Sequence, residues 1–120
     1  GGSTDAIKLF MDFYDHIKPS REVVSVACLD TKLKVIGIRE VTSGTLDASL
    51  IHPREIFQTA ILMNASCILV AHNHPSGDPR PSKEDWAVFR RIKQAGITLG
   101  ISQMDHIIVG DYGVSLEELE

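Results

Sequence analysis

The reading of this chain turns on His72-Asn73-His74-Pro75-Ser76-Gly77-Asp78-Pro79-Arg80-Pro81-Ser82-Lys83-Glu84-Asp85. The residues before it, Cys67-Ile68-Leu69-Val70-Ala71, are apolar, partly branched and bounded by polar neighbours, so they read as a buried strand. Side chains two apart on a strand share a face, which makes His72 and His74 emerge side by side at its C-terminal end. Pro75, Pro79 and Pro81 fix φ and deny a continuing ladder, and Gly77 permits a sharp turn. Such a loop folds back at low entropic cost. Ser82 fits a helix N-cap, and Trp86, Ala87, Val88, Phe89 and Ile92 follow at helical spacing. Asp85 then lies in the first turn of that helix, close to where the loop returns to the strand end.

Two imidazoles and a carboxylate with a fourth position free match the donor set of a catalytic zinc site, whereas structural sites close all four positions, usually with Cys. No cysteine lies in this stretch. Each part also has an ordinary reading. Ser82-x-x-Asp85 is a capping-box-like pattern that needs no metal, and an isolated His-x-His is common loop chemistry. The combination is more specific than its parts, because all three groups converge on one point. Paired histidines favour zinc, while a His/Asp nuclease site using Mg²⁺ or Mn²⁺ stays open on composition. His-Glu-x-x-His, the His-x-Glu with Pro-Cys-x-x-Cys of zinc deaminases, and Gly-x-Ser-x-Gly are all absent from the sequence.

The 120 residues suffice for one domain with a real core and not for two, and the 43% hydrophobic fraction is ordinary for a folded soluble protein. No apolar run approaches a membrane span, and no signal segment opens the chain, so a cytoplasmic location without membrane association is expected. Gly1-Gly2-Ser3 has the composition of a cloning scar and carries little weight. Cys28 and Cys67 sit in apolar, strand-like runs and read as small buried hydrophobes. The formal net charge is -4, and the densest basic group, Arg90-Arg91-Lys93, reads as a solvated helix face. Direct nucleic-acid binding is therefore not expected. A homodimer is compatible with the sequence.

In chain order, Ile7, Phe10, Met11 and Tyr14 give a helix over 4–17 that Pro19-Ser20 ends, with His16 near its C-terminus as a favourable dipole contact. Residues 23–29 and 34–41 read as a hairpin of two strands, turning at Asp30-Thr31-Lys32. Residues 42–47 read as a loop and 48–51 as a short strand. Pro53 suits the first position of a helix that continues through Ile56, Phe57, Ala60, Ile61 and Met63, with His52 in a structural place before it. Gly96 looks like a helix C-terminal glycine, followed by strands at 97–101 and 106–109 with Asp105 near the turn between them. Asp105 and His106 are the best candidates for outer partners of a ligating His, against the plainer reading of a core His beside a turn Asp. Residues 115–120 form an acidic tail or short helix. Strands interleaved with at least three helices give an α/β fold, a mixed sheet with helices packed on it.

His72, His74, Ser82 and Asp85, taken with an upstream Glu, resemble the JAMM motif of the JAB/MPN metalloprotease family: Glu, then His-x-His, seven residues, Ser-x-x-Asp. Gly44-Thr45-Leu46, His52-Pro53-Arg54-Glu55, His72 to Pro79, and Asp105-His106-Ile107-Ile108-Val109-Gly110 resemble its bacterial RadC-like branch, over most of the chain from about Arg21 onward. The resemblance implies a three-layer arrangement similar to cytidine deaminases. It implies Zn²⁺ held by His72, His74 and Asp85, and it singles out Glu40 as the proton acceptor beside the metal-bound water; Glu22, Glu55, Asp78 and Glu84 are its rivals. Ser82 would donate to the developing oxyanion. The implied reaction is hydrolysis of a peptide or isopeptide bond in an unidentified peptide or protein substrate. The alternative is an accessory or binding module that retains the metal, turns over little, and serves a DNA-processing partner, a link carried by the family's name alone. Family members usually carry an N-terminal helical region that is expected to be absent here, making residues 1–120 a single MPN domain. Asn73 stands where the family's eukaryotic deubiquitinases usually carry Ser or Thr, so deubiquitination is not expected.

Overall fold

The structure is a computed structural model that describes residues 2–42 and 51–120. The Gly44-Thr45-Leu46 element, and nearly all of the loop and short strand expected between 42 and 51, lie outside the described residues. The chain runs α1 (Ser3–Ile17), β1 (Val24–Leu29), β2 (Val35–Thr42), α2 (Pro53–Leu62), β3 (Cys67–Asn73), α3 (Lys83–Leu99), β4 (Ser102–Val109), β5 (Gly113–Ser115) and α4 (Leu116–Leu119). The strands form one mixed sheet in the order β2-β1-β3-β4-β5. β1 is antiparallel to β2 and β3, β4 is antiparallel to β5, and β3 and β4 are parallel, joined by α3 as the crossover. The mixed α/β architecture is the one expected.

Strand alternation divides the core between two faces. Val24, Val26 and Cys28 of β1 and Ile68 and Val70 of β3 pack with Ile56, Phe57 and Ala60 of α2 and with Val88 and Ile92 of α3. Ala27 and Leu29 of β1 and Cys67, Leu69 and Ala71 of β3 pack with Ala6, Phe10 and Tyr14 of α1. A strand buried on both faces has no polar positions to spare, which is why β3 reads as a continuous apolar run. Cys28 and Cys67 are buried and unbridged, as the sequence suggests. The Tyr14 hydroxyl donates to the Val23 carbonyl at 2.7 Å and meets Ser25 Oγ at 2.9 Å, tying α1 to the sheet. Burial pushes its pKa up, with the charges of Glu40 and Glu22 adding to the rise and the Ser25 hydrogen bond opposing it.

The C-terminal half departs from expectation. No strand occupies 97–101: α3 runs on to Leu99, and Gly100 ends it at φ +75°. Residues 102–109 are then one strand, with Asp105 inside it rather than at a turn. Gly96 misleads because its absent side chain serves packing instead of termination. A Cβ there would lie 2.4 Å from the Ile101 carbonyl oxygen and 3.3 Å from Phe57 Cζ, so glycine lets α3 lie against the returning chain. Ile97 and Leu99, which suggest a strand by alternation, are exposed on the last helical turn. Residues 116–119 do form the short helix anticipated at the C-terminus.

Gly96→Ala should therefore destabilise the fold by about 1–3 kcal/mol, although alanine is the better helix former. Chemical denaturation measures it; unchanged or greater stability would show that α3 has room to move.

Candidate metal centre

His72 is the penultimate residue of β3 and faces α3, continuing the side of Ile68 and Val70; it is 1% exposed. Asn73 points to the opposite face. Its Oδ1 accepts from the Val23 amide at 2.7 Å and its Nδ2 donates to the Arg21 carbonyl at 3.0 Å, fastening the approach to β1 beneath the site. Beyond the strand the His74 amide still donates to the Val109 carbonyl at 2.8 Å, so the second histidine leaves the sheet with its backbone held.

The Pro- and Gly-rich loop is clasped as well as stiff. The Gly77 amide donates to the His74 carbonyl at 2.9 Å, and the Asp111 amide donates to the Gly77 carbonyl at 2.6 Å. Gly77 has φ +94°, and a Cβ on Gly110 would lie 2.4 Å from the Gly77 oxygen. Both glycines are needed for the loop to lie against the β4–β5 turn. Arg80 caps the loop's outer side through three side-chain contacts with the Asp78 carboxylate, Nε at 3.0 Å from both oxygens and a terminal guanidinium nitrogen at 2.6 Å from Oδ2. These hydrogen bonds hold the Asp78 pKa down at about 2.

The loop delivers α3 with a complete capping box. Ser82 Oγ accepts from the Asp85 amide at 3.1 Å, and Asp85 Oδ2 accepts from the Ser82 amide at 2.9 Å. Capping and metal binding are thus not exclusive, because the carboxylate that closes the box also faces both histidines. Asp85 Oδ1 lies 3.0 Å from His72 Nε2, and Oδ2 lies 3.1 Å from His74 Nε2. The two Nε2 atoms are 3.3 Å apart. Burial works against the Asp85 charge, but the hydrogen bond and charge of His72, the Ser82 amide and the charge of His74 outweigh it, holding its pKa far below the usual carboxylate range.

The protons on the far sides of the rings fix what these atoms offer. His74 Nδ1 lies 2.8 Å from the Asp78 carbonyl oxygen, which can only accept, so Nδ1 carries the hydrogen and a neutral ring turns the Nε2 lone pair inward. His72 Nδ1 meets His106 Nε2 at 2.8 Å. The Asp85 carboxylate and both Nε2 atoms face one point, and with a hydrogen on each Nδ1 all three would offer electron pairs to a cation there. A tetrahedral site with bonds of about 2.0–2.1 Å has ligand–ligand edges of about 3.3 Å; the two Nε2 atoms stand that far apart, and each has a different Asp85 oxygen within 3.1 Å. The donor set fits a divalent ion of borderline softness. Among the described residues, His72, His74 and Asp85 are the one group of His, Cys, Asp or Glu so placed.

The other residues singled out by sequence are dispersed. Ser82 sits beside Asp85, and since its oxygen accepts from the Asp85 amide, its O–H stays available to donate outward. Glu40 is not in the group. It is exposed on β2, pairs with Ser25, and its charge acts on Tyr14, on the α1 side of the sheet. A β-bulge follows, and Thr42 shares a rung with Val24 and His72. Of the rivals, Glu22 also acts on Tyr14, Asp78 is paired with Arg80, and Glu55 and Glu84 lie in the first turns of α2 and α3. His52 stands exposed at the α2 N-cap position. The paired outer candidates separate: His106 meets His72, while Asp105 turns to the other face. There it accepts from Ser115 Oγ at 2.7 Å and from the Glu117 amide at 3.2 Å, holding α4. The basic group is engaged by the protein itself. Arg90 lies over Trp86, Arg91 donates to the Ile51 carbonyl, and Lys93 pairs with Glu117 and Glu120.

Residues 2–120 match the family described as the RadC-like JAB domain. The UPF0758 protein of Thermotoga maritima is 54% identical over 108 residues, covering 90% of this chain and 49% of that protein. A UPF0758 protein of Caldanaerobacter subterraneus is 46% identical over 115 residues, 95% of this chain and 48% of its own length. One from Clostridium beijerinckii is 50% identical over 100 residues, 82% and 44% respectively. The chain thus spans about half the length of the curated relatives it matches.

Zinc should bind the folded protein and raise its melting temperature, and His74→Ala or Asp85→Ala should weaken binding by at least about a hundredfold, because each removes a donor. Affinity should fall as pH falls, since every proton taken up by an imidazole removes a ligand. Calorimetric titration at several pH values checks both; equal affinity in wild type and His74→Ala would contradict the site.

Proposed function

Since the chain belongs to the RadC-like JAB domain family, we propose that it is a zinc-dependent hydrolase that cleaves a peptide or isopeptide bond with a metal-activated water. The observation that carries this reading is the convergence of His72 Nε2, His74 Nε2 and the Asp85 carboxylate, with separations of 3.0–3.3 Å, on one point at the mouth of a clasped loop. The chemistry zinc supplies when bound in such a site is acidification of a coordinated water to a pKa of about 7 and polarisation of the substrate carbonyl.

The chain's own groups do the rest. His72, His74 and Asp85 supply three donors and leave a fourth position for solvent. The Asp78 carbonyl, the Ser82 amide and His106 hold those three side chains in place before any ligand arrives, so little reorganisation is needed on binding. Ser82 directs its hydroxyl proton toward oxygen charge developing on the carbonyl. Glu40 is assigned the proton from the attacking water and its delivery to the departing amine. That assignment rests on the family motif and on Glu40's place two residues before the rung that carries His72.

The second reading, a metal-retaining accessory module with little turnover, is favoured by one observation. Glu40 pairs with Ser25 and acts on Tyr14 rather than on the His72–His74–Asp85 group.

Turnover of a peptide and isopeptide library by the zinc-loaded protein separates the two. The hydrolase reading expects cleavage, lost in His74→Ala together with the metal, and lowered about 10²–10⁴-fold in Glu40→Gln with the metal kept. No cleavage by the loaded wild type would establish the accessory reading. Full activity in Glu40→Gln would move the proton transfer to another group while leaving the hydrolase in place.

A further inference from the structure

His72 has an outer partner, and that partner has unmet needs of its own. His106 is fully buried in β4, with Nε2 2.8 Å from His72 Nδ1. Among the described residues no carboxylate is hydrogen-bonded to its ring, and an imidazole whose Nε2 accepts a hydrogen bond carries its one hydrogen on Nδ1. If His72 Nε2 is to present a lone pair to a metal, its hydrogen must sit on Nδ1 and point at His106 Nε2. The single hydrogen of His106 is then on Nδ1. That atom is buried and has no hydrogen-bond partner among the described residues.

The other buried side-chain atom left in this condition is an acceptor, Gln103 Oε1. The orientation of the Gln103 amide is not free, because Nε2 donates to the Phe89 carbonyl at 3.1 Å and so leaves Oε1 turned away from it. Residues three apart on a regular strand face opposite ways. Here the β3–β4 register shifts between Ile68 and Leu69: Ile68 pairs with Gln103, Leu69 with Asp105 and Val70 with His106. Met104 is the extra residue, and it is exposed. The bulge therefore returns Gln103 to the face of His106, under α3 and beside Phe89, whose ring lies 6.3 Å from that of His106. One orphan donor and one orphan acceptor are thus brought to a single face, in the polarity that the His72 tautomer requires. Leaving both unmet would be costly, whereas one buried water, accepting from His106 Nδ1–H and donating to Gln103 Oε1, satisfies both.

We propose that Gln103 and His106, bridged by one buried water, are positioning residues that fix the His72 hydrogen on Nδ1 and so aim its Nε2 lone pair at the metal. The inference rests on the metal reading given under the proposed function. It adds a chain of hydrogen bonds from the Phe89 carbonyl through Gln103 and His106 to a ligand, with the β4 bulge as its structural cause. Gln103 touches neither metal nor substrate, so its influence is on affinity and ring tautomer.

Nitrogen-15 NMR of the zinc-loaded wild type reads the tautomers directly. His106 should carry its hydrogen on Nδ1 with Nε2 unprotonated, and His72 its hydrogen on Nδ1. Gln103→Met keeps length and removes the acceptor. It should mix the His106 tautomers and weaken zinc binding about tenfold or more, measured by chelator competition on protein with a wild-type near-ultraviolet dichroism spectrum. A hydrogen on His106 Nε2 in the zinc-loaded wild type overturns the inference whether or not the variant folds. So does a folded Gln103→Met with unchanged tautomers and affinity. No zinc uptake by the wild type overturns the metal reading and this inference with it, whereas uptake with the other tautomer overturns this inference alone.

Discussion

The carboxylate of Asp85 is shared between a helix and a pair of histidines, and the rest of the site is arranged around that sharing. Its Oδ2 accepts from the Ser82 amide and faces His74, while Oδ1 faces His72. The capping contact fixes the side chain without metal, at the positive end of α3, where a negative charge is favoured. A buried carboxylate would ordinarily be pushed toward neutrality, yet here the hydrogen-bond donors and the imidazoles outweigh desolvation and keep the group ionised. The chain thus holds an ionised carboxylate between two imidazole nitrogens, a place that a divalent cation would complement.

Everything that positions those groups is short-range and stiff. β3 is buried on both faces between α1 and the α2–α3 layer, so its end is as rigid as any part of the molecule. The loop that follows is pinned to β4 and the β4–β5 turn through His74, Gly77 and Asp111. Asn73, between the histidines, is aimed at the other face and spends its amide on the segment leading into β1. Two neighbouring side chains thus divide the labour: one face of the strand end offers donors and the other anchors the chain. Asn73 thus acts through backbone anchoring, away from the donors.

The fold was legible where periodicity and local chemistry agreed. The α1 stripe, the β1–β2 hairpin, Pro53 opening α2, and the apolar β3 run followed by Pro, Gly and an N-cap all have one physical reading, and the structure bears them out. The His72–His74–Asp85 convergence was readable too, because strand parity and a first-turn carboxylate fix three directions at once. What escaped depends on tertiary contact. Gly96 reads as a helix stop from local grammar, but it is glycine because Ile101 and Phe57 leave no space for a side chain. Asp105 and His106 look equivalent in sequence, but strand alternation sends neighbours to opposite faces, and the register set by the bulge upstream gives one to α4 and the other to His72. Gln103 carries no motif signal, since its role exists only once that bulge is known. Glu40 is singled out by the family motif alone, and strand register, invisible in sequence, sets it opposite Ser25.

The account stands on three side chains sharing one divalent ion. X-ray absorption at the zinc edge of the loaded protein tests this most directly. The account predicts one zinc per chain with four nitrogen or oxygen neighbours at about 2.0–2.1 Å and the scattering pattern of two imidazoles. A sulfur shell at about 2.3 Å, six-fold coordination without imidazole, or protein that takes up no zinc would contradict it.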